Sequence, residues 1–312
     1  MPSGWTHTAL AQQVVFGPGS LAQLPDLVRT IGARRALLVT TAGRLASAEG
    51  ERVVAALGRS LASTFGEVAS HVPVPLVQQA VLQARRDAID LVVSFGGGSC
   101  ADLGKAVCFF LEQEAGMPGS SHLDRPLVPH LSIPTTYSGA ELTPFFGMTD
   151  PSTRQKQGAG GPTSAPVVAI YDPDLTLGLS PERTATSGMN ALAHCVEAAY
   201  APDASPLVQL SAVEGVRALA TALPRCVRST EDHEARALAL YGAWLAGTAF
   251  ANATMGLHHK LCHVLGGSQR LPHGALHAVL LPYVAAFNRA AAPEAMSRLA
   301  EALDGDDAPL AM

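Results

Sequence analysis

Five of the chain's eleven histidines, His258, His259, His263, His273 and His277, fall within "GLHHKLCHVLGGSQRLPHGALH", residues 256–277. A scarce side chain that titrates near neutrality gathers like this where it binds a metal or handles protons and hydride. The spacing adds direction. His259 and His263 are four apart, as are His273 and His277, and so are Asn190 and His194 in "SGMNALAHCVEAAY". Four residues along a helix return to one face, so each pair projects together. Gly266-Gly267 should end the middle helix, and Pro272 should deliver His273 from the turn beyond it. Two helices and a turn can then converge imidazoles as a divalent cation requires. The natural carboxylate position on the first helix is Asn190, however. An amide oxygen is a weaker donor and leaves the set one negative charge short, so the residues predict a chemical site without a catalytic metal.

A second stretch, "LVVSFGGGSCADLGK", puts Gly96, Gly97, Gly98 and Ser99 where a buried strand gives way to a helix. Glycines let backbone approach a phosphate, and a helix N-terminus offers N–H groups and the positive end of a dipole. The pattern is neither G-x-G-x-x-G nor a lysine-bearing phosphate loop, and it lies outside the first βα unit. In "IPTTYSGAE", Thr135, Thr136 and Ser138 form another polar turn at a strand end, where open α/β sheets bind ligands. After "LLVTTAGR" no acid is available for an adenosine ribose; Thr40, Thr41 and Arg44 stand there instead, leaving NADH against NADPH undecided.

These groups need elements to carry them. Short apolar runs, "RALLVT", "IDLVVSF", "PHLSIPTTYSG", "PFFGMTD" and "APVVAIYD", alternate with helical patterns in "GERVVAALGRSLA", "PLVQQAVLQARRD" and "GGGSCADLGKAVCFFLEQEAG". "EVASHVPVP" reads as a weaker strand, and "RQKQGAGGPTSAP" (154–166) as a flexible loop. Strand–helix alternation implies a mostly parallel sheet covered on both faces. Beyond Asp172-Pro173 every periodic segment is helical. The expected organisation is therefore a Rossmann-like α/β nucleotide-binding domain over 1–175 and an all-α domain over 176–312.

Composition narrows the class. At 48% hydrophobic and 15% charged residues the chain is a packed globular protein, and a net charge of −5 argues against a nucleic-acid surface. Five cysteines without a C-x-x-C pair read as reduced, buried thiols. No signal-peptide pattern or uninterrupted apolar span of membrane length occurs, so a cytoplasmic location is expected.

Together "GGGSCADLGKA", "PTTYSGAELTP", "SGMNALAHCVEAAYA" and "GLHHKLCHVLGGSQRLPHGALHAVLLPY" resemble the maleylacetate reductase branch of the iron-containing alcohol dehydrogenase superfamily, whose architecture is dehydroquinate synthase-like. The similarity runs from about "VVFGPGSLAQLP" to "LLPYVAAFN". It implies a catalytic cleft between an N-terminal nucleotide domain and a C-terminal helical domain, and a homodimer. It implies that Gly96 to Ser99, Asp102, Thr135, Thr136 and Ser138 bind NADH or NADPH, with Lys156 near them. The ligand positions of the metal-dependent relatives fall on Asn190, His194, His259 and His273, and His263 matches a histidine near the nicotinamide. The resemblance also implies helices beyond "RLAEALDGDDAPLAM", so the helical domain reads as shortened.

The implied reaction is NAD(P)H-dependent reduction of maleylacetate, a small dicarboxylate, to 3-oxoadipate in the breakdown of aromatic compounds. Hydride adds to the alkene carbon β to the ketone, and the resulting enolate is protonated at the α carbon. His194, His259 and His273 would stabilise the enolate with Lys260 or Lys156. His263 or His259 would donate the proton, and Arg270, Lys260 and Lys156 are the cations available for the carboxylates. The alternatives are a metal-dependent alcohol or glycerol dehydrogenase of the same superfamily and a dehydroquinate-synthase-like lyase.

Overall fold

The computed structural model describes residues 5, 7, 9–116, 126–153, 155–269 and 271–305. Two compact units emerge, an α/β unit of Leu10–Thr135 with Ala140–Thr176, and a helical unit that takes Thr136–Gly139 and the chain from Leu177. The turn 136–139, read from sequence as part of the nucleotide domain, therefore packs with the helices. A Cβ on Gly139 would sit 2.9 Å from the Cα of Gly247, so only glycine allows that approach.

In chain order the α/β unit holds β1 (Gln13–Phe16), α1 (Leu24–Ile31), β2 (Ala36–Val39), α2 (Ala42–Leu45), α3 (Ala48–Leu57), β3 (Leu61–Phe65), α4 (Val74–Arg86) and β4 (Leu91–Gly96). It continues with α5 (Gly98–Glu114), β5 (His130–Pro134), β6 (Phe145–Thr149), β7 (Lys156–Gly160) and β8 (Val168–Tyr171). Six strands form one parallel sheet in the order β1-β8-β5-β4-β2-β3. "ALLV" and "LVVSFG" are buried on both faces, as central parallel strands must be. Alternation splits their side chains. Leu38, Val93 and Phe95 pack with α1 and α3, whereas Leu37, Val39 and Val92 pack with α4 and α5. From β2 the chain turns toward β3, and from β4 it turns toward β5. The β2/β4 neighbourhood is thus the switch point at which open α/β sheets bind ligands.

Two local expectations need correction. "EVASHVPVP" contributes only isolated bridges, at Glu67 and Pro73, and the strand is instead β3, which follows Gly58 and pairs parallel to β2 with a register shift at Ala36/Leu37. The proposed loop 154–166 contains β7, antiparallel to β6, and its pairing partner rather than its own polar composition makes it a strand. The N-terminal strand β1 pairs parallel with β8.

The helical unit comprises α6 (Pro181–Tyr200), α7 (Pro206–Arg228), α8 (His233–Ala251), α9 (Leu257–Gln269), α10 (His273–Asn288) and α11 (Pro293–Ala302). Ser180 and Ser205 cap α6 and α7 with proline at the first helical position, and Asp232 caps α8. Helix α9 runs through Gly266-Gly267 instead of ending there. A Cβ at Gly266 would lie 3.4 Å from Leu276 Cδ1, so this glycine serves close packing against α10 and not termination. Among the described residues no helix is long and apolar enough to cross a membrane.

Candidate active site

In the α/β unit the glycine turn sits where the topology calls for a ligand. Gly96 ends β4 at φ +148°, and a Cβ there would lie 2.5 Å from Cys100 Sγ, so no other residue fits. Gly97 is the N-cap of α5, and no side chain caps that helix. Its first turn, with Gly98 and Ser99, presents backbone N–H groups of the kind from which a phosphate can accept. Thr135 joins it, since its backbone N–H donates to Gly96 O (2.9 Å) and ties the ends of β4 and β5 together. Thr40 Oγ1 donates to Phe95 O (2.7 Å) from the β2 side. Burial pushes the Cys100 thiol up to about 12, against the opposing effects of a hydrogen bond to the Gly97 backbone and of the Arg44 guanidinium.

Asp102 is already engaged by protein groups. Its carboxylate meets Lys105 Nζ (2.8 Å) and accepts the Gly147 N–H (3.4 Å). Fully buried Lys105 also donates to Ala140 O, Thr143 Oγ1 and Phe145 O, so this lysine, which sequence reasoning passed over, fixes the chain entering β6. Lys156 is exposed, and its aliphatic arm lies over Gly147, within reach of Asp102's neighbourhood. Thr136 and Ser138 lie in the helical unit.

In that helical unit the histidines form a stack. The His194 ring, from α6, stacks on Phe250 at 4.0 Å and 7° and lies nearly parallel to His259 at 4.6 Å and 11°, with Phe250 and His259 themselves 6.0 Å apart. Helix α9 supplies His259, whose Nδ1 is 2.6 Å from Glu197 Oε2. The same carboxylate accepts the backbone N–H of His258 (2.8 Å) and of His259 (3.2 Å). Burial by itself would raise Glu197; the His259 ring and these two N–H groups hold it below the ordinary carboxylate range. Because Nδ1 faces Glu197, Nε2 is the nitrogen of His259 left to act, and among the described residues it is buried without a hydrogen-bond partner, as is Asn190 Oδ1.

This geometry overturns the argument from a missing anion. Asn190 is indeed neutral, yet Glu197 places a carboxylate directly behind His259. Glu197 lies three residues after His194 and seven after Asn190, on the same face of α6, which was the signal available in the sequence.

The remaining candidates separate. His263 makes an edge contact with His259 at 6.4 Å and is exposed, as is Lys260. Lys260 follows His259 by one residue and so points about 100° around the helix from it. His273 begins α10, but its side chain, like Arg270, lies outside the described residues. One ring deeper, His258 Nε2 lies 2.9 Å from His277 Nδ1 and 3.6 Å from Cys262 Sγ. Burial pushes His258 down to about 4, with His259 adding to the effect, so it is neutral at physiological pH.

Residues 11–173 match the iron-containing alcohol dehydrogenase family, and residues 184–311 match the C-terminal part of the Fe-containing alcohol dehydrogenase family. The chain is 44% identical to the maleylacetate reductase of Burkholderia cepacia over 297 residues, 95% of this chain and 79% of that protein. The crystal structure of maleylacetate reductase from Rhizobium sp. strain MTP-10005 is similar with a TM-score of 0.89 and 41% identity, over 99% of this chain and 83% of that one. Sulfoacetaldehyde reductase from Bifidobacterium kashiwanohense, solved in complex with NAD⁺, is 25% identical with a TM-score of 0.83, over 91% of this chain and 77% of that one.

Proposed function

We propose, since this chain belongs to the iron-containing alcohol dehydrogenase family, that it reduces maleylacetate to 3-oxoadipate with NADH or NADPH. The family membership makes it a nicotinamide-dependent oxidoreductase. The choice of substrate follows the relatives of about 40% identity that carry that activity in their names. The observation that carries the mechanism is the buried His259–Glu197 pair with its unpartnered Nε2.

The α/β unit binds cofactor pyrophosphate at Gly96–Ser99 and the α5 N-terminus, with Thr135, Asp102 and Lys156 around it. In the helical unit Glu197 holds His259 through Nδ1, so a proton carried on Nε2 is the one the ring can donate. When hydride from the cofactor adds to the β carbon, negative charge collects on the ketone oxygen. Nε2–H meets that charge and supplies the proton that completes the saturated product. His194, held parallel to His259 by Phe250, keeps the ring in place. Buried His259 is therefore preferred over exposed His263 as the acid.

The same donors suit a divalent cation. Among the described residues Asn190 Oδ1 and His259 Nε2 are buried and unpartnered, and Glu197 orients His259 as a carboxylate behind a metal-bound histidine does. A cation held by Asn190, His194 and His259 would polarise the ketone oxygen as a Lewis acid in place of the Nε2 proton.

The test is a spectrophotometric assay of NADH and NADPH oxidation with maleylacetate, with 3-oxoadipate identified by mass spectrometry. Proton-based chemistry predicts turnover unaffected by a chelator. His259→Gln should lower kcat by roughly 10²–10⁴-fold, and His263→Ala by far less. Cofactor returned unoxidised would reject the reductase reading in favour of a lyase, and loss of turnover to a chelator with recovery on adding Zn²⁺ or Fe²⁺ would replace the proton mechanism.

A further inference from the structure

We infer that His258, Cys262 and His277 form a second cation site, selective for a thiophilic divalent ion such as Zn²⁺ and distinct in every donor atom from Asn190, His194 and His259. His258 and Cys262 lie one turn apart on α9, and His277 comes from α10. All three are buried, and one donor atom from each lies within 4.8 Å of the other two. A tetrahedral zinc ion holds nitrogen at about 2.1 Å and sulfur at about 2.3 Å. That spaces two nitrogens by about 3.4 Å and a nitrogen and a sulfur by about 3.6 Å. The His258 Nε2–Cys262 Sγ edge already has this length, at 3.6 Å. The His258 Nε2–His277 Nδ1 edge, 2.9 Å, is a hydrogen bond and must open by roughly half an ångström when the ion takes the place of the shared proton.

The donor chemistry selects the ion. Two imidazoles and a thiolate favour Zn²⁺ over Mg²⁺ or Ca²⁺, which take oxygen ligands. The protons balance. Cys262 releases its thiol proton to solvent and becomes a thiolate. His258, giving its Nε2 lone pair, carries its ring proton on Nδ1, which is buried without a hydrogen-bond partner. His277 coordinates through Nδ1 and keeps its proton on Nε2. The bound pair of ion and thiolate has one net positive charge, and the Glu197 carboxylate, 2.8 Å from the His258 backbone nitrogen, offsets it.

The test uses the whole chain, produced in cobalt-supplemented minimal medium and freed of loose metal. The site predicts about one Co²⁺ per chain with a thiolate-to-cobalt charge-transfer band in the near ultraviolet. Asn190→Ala should keep the band and Cys262→Ser should abolish it. Zinc-edge X-ray absorption on zinc-loaded wild-type protein needs no variant, and should show one sulfur neighbour at about 2.3 Å. A chain that retains neither ion, a shell of nitrogen and oxygen alone, or a band that survives Cys262→Ser would each overturn the assignment.

Discussion

At the scale of single residues, the chemistry turns on which nitrogen of His259 is left to act. Glu197 decides this by accepting from Nδ1, and it stays anionic because two backbone N–H groups and an imidazole hold its carboxyl below the usual range despite burial. Glu197→Gln keeps the shape and removes the charge. It should lower kcat/KM by roughly 10–100-fold, since groups that orient an active histidine are worth about that much. Activity unchanged in Glu197→Gln would assign the carboxylate a packing role only.

At the scale of elements, two features hold functional segments in place. The β4–α5 turn depends on Gly96. Gly96→Ala must adopt a φ that L-residues avoid and meet Cys100 Sγ, which should cost about 1–3 kcal/mol of stability. The same change should weaken NADH binding at least tenfold by fluorescence titration, because the strand-to-helix backbone can no longer approach a phosphate. In the helical unit, Arg236 is fully buried on α8 and donates to Tyr137 Oη (3.1 Å), Thr184 Oγ1 (2.8 Å), Leu179 O and Thr230 O. It binds the 136–139 turn to α6. Arg236→Met retains bulk but leaves four acceptors short of a donor, and roughly 2–4 kcal/mol should be lost in urea unfolding. Unlike the glycine turn, this role could not be seen in the local pattern around residue 236, where the arginine looks like any charged residue in a helix.

At the scale of the whole molecule, buried polar groups set the response to acid. His130 lies in the sheet with Nε2 2.8 Å from Ser94 Oγ, and Gly104 leaves room for its ring. Burial, with Lys105 nearby, pushes its pKa from the ordinary 6.5 down to about 3. Above pH 6.5 the ring is neutral in folded and unfolded chains alike, and it costs nothing. Below that, only the unfolded chain takes up the proton. Stability should therefore fall on the order of 1 kcal/mol per pH unit from 6.5 toward 3 on this account. Urea midpoints measured across that range should show a gentler slope for His130→Gln than for the wild-type chain.

Much of this architecture was written in local patterns. Continuous apolar runs marked β2, β4, β5 and β8, Ser-Pro pairs marked the starts of α6 and α7, and three glycines after a buried strand marked the anion turn. Each depends on residues adjacent in the chain, so spacing suffices. Partners distant in sequence were beyond that logic. Glu197 and His259 are 62 positions apart, His258 and His277 are 19 apart, and β6 makes a strand of a polar segment that by itself reads as a loop. Four-residue spacing tells which side chains share a helix face, but not which face another helix will cover. That was settled by packing, and with it the location of the negative charge that the histidines had seemed to lack.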